Sequence, residues 1–350
     1  MSWSDGLQIL FWIAVSVVGG TWVVFSYWRL KSEWKRRQEG EAPLKSTRSA
    51  IWRDPGDISE RSLGKGPGQP PEPPFQFTEE HDTGSQPCLS IRDATDREWR
   101  VKWGSEVRTE TFGTRLAWAL GFFSEQTHFI PAGQIMGTRE LRRAKECIDE
   151  QNGFTDARFE LSEHDVVKHF DAHSWAWNDN PFVGSRELHG LKILMMLVSN
   201  WDNKDVRDVA RGSNTAIFEF KVGRHEREAR YLIIDWGAAL GAWGNNVVQR
   251  GRWDVSAYAA QNEAFVTGVD GEFVKWGYQG QRTADLTEGI TVEDVRWFHK
   301  LAAQLTDDQI HEGFVASGAA PDEAGYFTAA LRGRIEKLRE IAEATPTHAK

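Results

Sequence analysis

Hydrophobic residues run without interruption through the first part of the chain. Residues 7–28 contain no charged side chain, and an apolar stretch of that length can cross a bilayer as one helix. Asp5 precedes the stretch, and five basic residues follow it: Arg29, Lys31, Lys35, Arg36 and Arg37. Because basic residues stay on the cytoplasmic side of a membrane, we predict a single-pass transmembrane anchor over residues 1–30 and a cytoplasmic location for the remainder. A cleaved signal peptide would have a basic start and a small-residue cleavage site, which this segment lacks.

A polar stretch rich in proline and glycine follows the apolar run. These two residue types are densest over residues 64–74. Such a composition buries too little apolar surface to offset the entropy that is lost on ordering. We therefore predict a flexible juxtamembrane linker over residues 31–74. A Pro-rich ligand for a partner domain is the alternative.

Apolar and polar residues begin to alternate at residue 75, as they do in half-buried strands. The pattern predicts strands over residues 75–77, 89–92 and 98–103, with a turn at residues 93–96 between the last two. Apolar residues then recur at helical spacing, which predicts a helix over residues 108–123. The folded domain is expected to begin with this strand-rich part.

Helical periodicity dominates the second half of the chain. It predicts helices over residues 139–151, 163–173, 185–198, 292–305, 307–317 and 321–344. Thr291 is the predicted N-cap of the fourth helix, and Thr306 with Gln309 forms a capping box for the fifth. Two predicted strands, residues 214–220 and 230–235, interrupt the helices.

Composition and charge narrow the class of protein. The chain has 350 residues and a formal net charge of -9, and an acidic domain of this size is a poor nucleic-acid binder. Its two cysteines are too few for a disulfide framework or a cysteine-rich metal site. With the pattern of elements, this predicts an α+β protein without a nucleic-acid partner. A strand-rich domain over residues 75–136 precedes a helical domain over residues 137–345.

Two polar segments in the second half carry candidate chemistry. The predicted helix 185–198 leads into a loop with Asp202 and Lys204, and a predicted strand ends on Asp235, closely followed by Gly237. Such a pair of aspartates lets one carboxylate orient an acceptor hydroxyl while the other binds Mg²⁺ on phosphates. Asp202 is the candidate base, Asp235 the candidate metal ligand, and Lys204 would offset charge on a transferred phosphoryl group. The alternative is that these residues only cap or solvate a loop.

A lysine on a strand followed by a glutamate on the next helix forms a second candidate pair. Lys102 lies on the face of its predicted strand opposite Val101 and Trp103, and Glu110 falls in the first turn of the next helix. Kinases use this arrangement to hold a lysine against nucleotide phosphates. Glu106 is the rival acidic partner, and an ordinary surface ion pair is the alternative.

The order of these residues resembles that of the atypical kinase superfamily, which includes phosphoinositide kinases, bacterial toxin-type serine kinases and secretory-pathway protein kinases. The motifs that carry the resemblance are Val101-Lys102, Glu110, Trp201-Asp202-Asn203-Lys204-Asp205 and Ile234-Asp235-Trp236-Gly237. More closely, residues 99–104, 115–121 and 200–202 are similar to an uncharacterised bacterial branch of that superfamily. The resemblance spans residues 75–340.

The resemblance implies a two-lobed, protein-kinase-like fold with ATP and Mg²⁺ or Mn²⁺ between a strand-rich lobe and a helical lobe. It implies that Lys102 holds phosphates and that Glu110 orients Lys102. It also implies that Asp202 is the base and that Asp235 binds the metal.

A glycine-rich loop of the usual kinase type does not precede Lys102 in the sequence. The local candidate for a turn that covers phosphates is Thr83-Gly84-Ser85. Gly84 and Ser85 are therefore the residues predicted to bind the cofactor from this side.

A second departure concerns the metal site. Kinases place an asparagine five residues after the base, where it binds a second metal ion, and Arg207 occupies that position here. Asp208 is the predicted substitute ligand, with Asp205 and Asn203 as further candidates.

Two functions are therefore open. The first is an ATP-dependent phosphotransferase, anchored in the membrane, that acts on a protein or small-molecule hydroxyl, with AMP transfer as a variant. The second is a pseudokinase that serves as a nucleotide-binding or structural partner-binding module. The two differ at Arg207 and Asp208, because a catalytic site would direct Asp208 toward Asp235. Nothing in the helical part specifies the acceptor.

Overall fold

The computed structural model describes residues 44–84, 86–163, 166–224, 226–244 and 250–343. The transmembrane anchor predicted over residues 1–30 lies outside these ranges. Within them, no helix is long and apolar enough to cross a membrane. The chain from Lys45 onward forms one compact unit.

The described residues form a mixed fold, with most strands in the first part of the chain and most helices in the last part. The strands are β1 (Arg48–Ala50), β2 (Phe75–Glu80), β3 (Cys88–Arg92), β4 (Glu98–Lys102), β5 (Thr127–Met136), β6 (Gly153–Leu161), β7 (Val167–His169), β8 (Thr215–Lys221), β9 (Arg227–Ile233), β10 (Val266–Asp270) and β11 (Phe273–Trp276). The α-helices are α1 (Val107–Ala119), α2 (Arg186–Leu197), α3 (Val255–Ala260), α4 (Thr283–Thr287), α5 (Val292–Ala302), α6 (Asp307–Val315) and α7 (Pro321–Glu343). Short 3₁₀ helices lie at Ile58–Glu60, Lys145–Cys147, Asp171–His173 and Val206–Arg211.

Five strands close into a barrel in the order β2, β3, β4, β6 and β5. Alternation along the strands places one set of apolar side chains inside the barrel. Leu89, Trp99, Val101 and Phe159 belong to this set and are fully buried. The three strands predicted between residues 75 and 103 are confirmed as β2, β3 and β4.

The outward face of β4 and β6 is charged. In the antiparallel pairing of these strands, Lys102 lies opposite Arg158, and Arg100 lies opposite Glu160. α1 packs against β5 and β6, and its Glu110 forms an ion pair with Arg158. The predicted Lys102 and Glu110 are thereby brought to one side of the barrel.

The last two strands of the barrel correct the sequence prediction. The helix predicted over residues 139–151 does not form, since that described segment is irregular apart from one 3₁₀ turn. The helix predicted over residues 163–173 is replaced by β7 and a second 3₁₀ turn. β6 was not predicted, although Ala157 and Phe159 alternate with Arg158 and Glu160 along it; all four residues are buried. Because β6 belongs to the barrel, the strand-rich part extends beyond the boundary predicted at residue 136.

A second sheet has the order β1, β9, β8 and β7. β8 and β9 form an antiparallel hairpin, which confirms the two strands predicted between residues 214 and 235. α2 confirms the helix predicted over residues 185–198, and Ser185 caps it by accepting a hydrogen bond from the N–H of Leu188 at 3.2 Å. This helix and this hairpin carry the two segments with candidate chemistry.

The C-terminal helices begin where the sequence predicted. Thr291 and Asp294 form a capping box at α5, and Thr306 and Gln309 form one at α6. The hairpin of β10 and β11 and the short helices α3 and α4 were not predicted. These elements connect the hairpin of β8 and β9 to α5.

The segment predicted as a flexible linker packs on the domain from Lys45 onward. β1 pairs in parallel with β9, and Ile51, Ile58 and Leu63 are buried. The guanidinium of Arg115 in α1 donates to the carbonyls of Leu63 and Gly64 at 2.8 and 2.7 Å. The composition of this segment predicts flexibility. The segment is nevertheless ordered, because a few well-spaced apolar residues are buried and a buried guanidinium donates to its carbonyls.

Candidate functional site

α2 delivers the chain into the candidate loop through a residue in the left-handed region. Ser199 has a φ of 57° and is fully buried. The buried guanidinium of Arg334 donates to the carbonyls of Met196 and Leu197 at 3.2 and 2.9 Å and to Oγ of Ser199 at 2.7 Å. A cation at the carboxyl end of a helix satisfies carbonyls that lack helical partners. Arg334 therefore fixes how α2 ends and where the loop at residues 200–204 begins.

The side chain of Asn200 joins the two aspartate segments. Its Nδ2 donates to the carbonyl of Asp235 at 2.9 Å, and its Oδ1 accepts from the N–H of Asp202 at 3.3 Å. Asn200 is fully buried, and the hydroxyl of Tyr278 donates to its carbonyl at 2.5 Å. Both ends of one amide thus hold one segment against the other.

Asn214 makes a second link, immediately before β8. Its Nδ2 donates to the carbonyl of Asp202 at 2.5 Å, and its own carbonyl accepts from the N–H of Ile234 at 3.0 Å. Asn214 therefore lies between the candidate base and the residue that precedes Asp235. The segments that carry Asp202 and Asp235 are therefore joined by two asparagines that were not predicted.

Asp202 is held by two donors in a partly buried position. Nζ of Lys204 lies 3.1 Å from Oδ2, and Nε2 of Gln281 donates to Oδ1. Burial raises the pKa of Asp202 above its ordinary value, Lys204 lowers it, and the nearby charge of Asp235 raises it again. A fixed carboxylate with increased proton affinity is suited to act as a general base.

Gly237 lets the backbone fold back onto Asp235. The N–H of Gly237 donates to Oδ1 of Asp235 at 2.8 Å. A Cβ at position 237 would lie 2.8 Å from Cγ of Glu106 and 3.0 Å from Oδ1 of Asp235. Only glycine permits this approach without displacing a neighbour. The carboxylate of Asp235 is thereby oriented at the amino end of α1.

The residues expected to complete the metal site are engaged elsewhere. One carboxylate oxygen of Asp208 accepts from Arg211 and the other from Arg282, at 2.5 Å each. Arg207 is held by two aspartates. Among the contacts of the described residues, none joins Asp208 or Arg207 to Asp235. A metal role for Asp208 would therefore require two ion pairs to open.

The two further candidates for a metal ligand also have structural partners. Oδ1 of Asn203 accepts from the N–H of Arg282 at 3.0 Å, and its Nδ2 donates to the carbonyl of the same residue at 2.8 Å. The fully buried Asp205 accepts from the N–H of Arg207 at 3.0 Å and caps a 3₁₀ helix. Both side chains stabilise the loop rather than face the cleft.

Glu110 has a different direct partner from the one predicted. Its carboxylate pairs with Arg158, which also pairs with Glu160 at 2.8 Å. Burial raises the pKa of Glu110 to about 7, although Arg158 and Lys102 lower it. Lys102 lies close enough to act on this carboxylate but forms no ion pair among the described residues. Because Asp235 also acts on the charges of Glu110 and Arg158, these groups lie near one another; the region around them is called the cleft below.

The remaining predicted residues lie at the edges of the cleft. The rival acid Glu106 pairs with Arg252. Gly84 has a φ of 99°, and its carbonyl accepts from Arg143 at 2.7 Å. Ser85 lies outside the described residues. Cofactor binding by Gly84 and Ser85 stays a prediction.

The carboxylate of Asp235 is a donor type that suits a hard divalent cation. Among the residues that the structure describes, no group of three or more His, Cys, Asp or Glu side chains is placed to hold a metal ion. Mg²⁺ is usually bound by one or two carboxylates together with substrate phosphates and water rather than by a full protein cage. The carboxylate of Asp235 and the amide oxygen of Asn214 are the donor types that this mode uses.

Sequence reasoning missed three residues that shape the site. Asn200 directly precedes Trp201-Asp202, and its position beside the candidate base was an available signal. Asn214 lies beyond the expected spacing because the 3₁₀ helix Val206–Arg211 separates it from Asp202. Arg158 was missed because its strand was not predicted, although the residues around it alternate between apolar and polar.

Comparison with known proteins adds a weak likeness in structure. No protein-family model and no curated protein matches this chain. The alignment with a crystal structure of the Golgi casein kinase covers 81% of this chain and 75% of the kinase chain, at 13% identity and a TM-score of 0.40. The alignment with a structure of the Golgi casein kinase with Mn/ADP bound covers 79% of this chain and 74% of the kinase chain, at 12% identity and a TM-score of 0.37. TM-scores below 0.5 do not establish a shared fold, so the function is inferred from the site itself.

Proposed function

We propose that this chain is an ATP-dependent phosphotransferase of the atypical kinase type that uses Mg²⁺ or Mn²⁺. The observation that carries the proposal is the double link between the aspartate segments. Asn200 and Asn214 hold Asp202 against the end of β9, from which Asp235 follows. Lys102 of β4 acts on the charge of Glu110, as Asp235 does, and so lies in the same region. The arrangement offers a base, a metal carboxylate and a phosphate-binding cation together.

Each residue has a distinct task in this proposal. Asp202 accepts the proton of the acceptor hydroxyl, and Lys204 offsets negative charge beside it. Asp235 and Asn214 would hold the divalent cation, which when bound neutralises charge on the phosphates. Lys102 binds phosphate oxygens as a point charge.

A pseudokinase is the second candidate, and two observations favour it. Asp208 is closed off by Arg211 and Arg282, and Glu110 is paired with Arg158 rather than with Lys102. Such a protein would bind a nucleotide or a partner in the same cleft without transferring phosphate.

The apolar run at residues 7–28 and the basic residues after it support the location that we propose. The domain is anchored in a membrane by one helix and lies on the cytoplasmic side. In this proposal its acceptor is a hydroxyl of a protein or a small molecule, and the motifs at residues 99–104, 115–121 and 200–202 support membership of the uncharacterised bacterial branch of the atypical kinases.

The test is to incubate the full chain, purified in detergent, with γ-labelled and separately with α-labelled ATP, in the presence of Mg²⁺ or Mn²⁺ and a cell extract as the source of acceptors. We expect transfer of the γ label. Transfer of the α label would instead show AMP transfer, and binding without any transfer would favour the pseudokinase. Failure to bind ATP would contradict both candidates. Asp307→Asn is the control, because Asp307 is an exposed aspartate that pairs with Arg332 on α7.

A further inference from the structure

Two cations on the outer face of β4 lack a direct acidic partner. Arg100 and Lys102 are two positions apart on this strand, so their side chains leave the same face. The carboxylates that act on these two charges are Glu110, Glu125 and Glu160. Whether those carboxylates are free decides what the two cations are available to bind.

Each of these carboxylates is already paired with another cation. Arg158 pairs with Glu110 and, at 2.8 Å, with Glu160. Nζ of Lys168 lies 3.3 Å from Glu125. In the part of the chain that the structure describes, the two cations of β4 are left without an ion pair. The acids of this face are therefore engaged by Arg158 and Lys168 rather than by the two cations of β4.

Arg100 is the more confined of the two cations. Its Nε is buried and has no hydrogen-bond partner, and the sulfur of Cys88 on β3 is a weak acceptor beside it. A guanidinium offers five N–H donors, and burying such a group without an acceptor is costly. An arginine in this state is suited to bind an anion that enters the cleft.

We propose that Arg100 is a second phosphate-binding residue and that the cleft recognises an extended polyphosphate lying along β4. This inference rests on the proposed function, which puts phosphates at Lys102. Residues two positions apart on a strand are about 7 Å apart, which suits the length of a triphosphate better than that of a single phosphate. The ligand class is a nucleoside triphosphate or inorganic tripolyphosphate.

The test measures the binding of inorganic phosphates to the full chain in detergent by calorimetry. Orthophosphate, pyrophosphate and tripolyphosphate are titrated in turn, with ATP and adenosine for comparison. We expect affinity to rise with the length of the phosphate chain. Arg100→Gln should weaken tripolyphosphate and ATP about tenfold or more, because it removes charge-assisted hydrogen bonds, and should leave orthophosphate and adenosine within about threefold.

Two variants serve as controls. Arg100→Lys keeps the charge and should restore most of the affinity for tripolyphosphate. Arg92→Gln changes an exposed arginine of the same barrel that pairs with Asp96 at 2.7 Å, and it should bind as the wild type does. Thermal unfolding confirms that each variant is folded.

Three results would overturn the inference. The first is that Arg100→Gln binds tripolyphosphate as tightly as the wild type does. The second, which depends on no variant, is that the wild type binds all three phosphates with equal affinity. If the wild type binds neither ATP nor tripolyphosphate, the proposed function fails as well, whereas normal ATP binding by Arg100→Gln overturns this inference alone.

Discussion

Asn200 is the residue whose replacement should separate the two catalytic segments. Asn200→Ala removes both the donor to the carbonyl of Asp235 and the acceptor for the N–H of Asp202. Asn200→Asp keeps an acceptor for the N–H of Asp202, but it loses the donor and sets a buried negative charge against the carbonyl of Asp235. It should therefore be at least as damaging as Asn200→Ala.

The expected magnitude follows from the number and burial of these bonds. A hydrogen bond contributes about 1 kcal/mol net, and a buried polar group that loses its partner costs about 1–3 kcal/mol. Asn200 is fully buried, so Asn200→Ala should lower the free energy of unfolding by about 2–4 kcal/mol. A displacement of about 1 Å between catalytic groups can cost about 100-fold in rate, and we expect a loss of kcat of that order.

Urea denaturation followed by tryptophan fluorescence measures the stability of the variants, and transfer of the γ label measures kcat. Asn178→Ala is the matched control, because Asn178 is exposed and its side chain accepts one hydrogen bond from Arg207 at 2.9 Å. It should change the free energy of unfolding by less than about 0.5 kcal/mol. The reasoning is refuted if Asn200→Ala matches this control in both stability and kcat.

Three further predictions concern charged groups. Lys204→Met should move the acid limb of the pH profile of kcat to higher pH, because Lys204 lowers the pKa of Asp202; an unmoved limb would contradict this. Arg334→Met should lower the free energy of unfolding by about 3–5 kcal/mol, because several buried carbonyls lose their donor. Urea titrations measure this change, and a loss below about 1 kcal/mol would contradict the prediction. The pKa of Glu110 is raised from 4.5 to about 7, so its neutral form stabilises the folded chain at low pH and that contribution is lost as the pH rises toward 7. Relative to Glu110→Gln, the wild type should therefore lose up to about 3 kcal/mol of stability between about pH 5 and 8, whereas parallel stability curves would disagree.

Elements with one clear periodicity could be predicted from the sequence. β2, β3 and β4 alternate, α2 is an apolar helix that is buried on all sides over residues 190–197 after a serine cap, and Thr306 with Gln309 marks the start of α6. β6 was not predicted, although Ala157, Phe159 and Leu161 alternate with Arg158 and Glu160. The ordered structure of residues 45–74 could not be predicted from the pattern either, because it depends on distant donors such as Arg115.

The candidate site was predictable in its acids but not in its supports. Asp202 and Asp235 stand at the ends of a helix and a strand that the sequence revealed, and the structure joins their segments. The pairing of Glu110 with Arg158 depends on strand register, which one sequence does not specify. Asn214 was not predicted, because the 3₁₀ helix Val206–Arg211 places it farther from Asp202 than the five residues that are typical of kinases.

The roles of Asp202 and Asp235 can be distinguished in one experiment, which measures ATP binding and γ-label transfer in the same preparations of the full chain. Asp202→Asn should bind ATP with Mg²⁺ within about threefold of the wild type, while transfer falls by about 100-fold or more. Asp235→Asn should lose the part of ATP binding that depends on Mg²⁺. Transfer at the wild-type rate by Asp202→Asn, or unchanged metal dependence in Asp235→Asn, would contradict the roles proposed for these two residues.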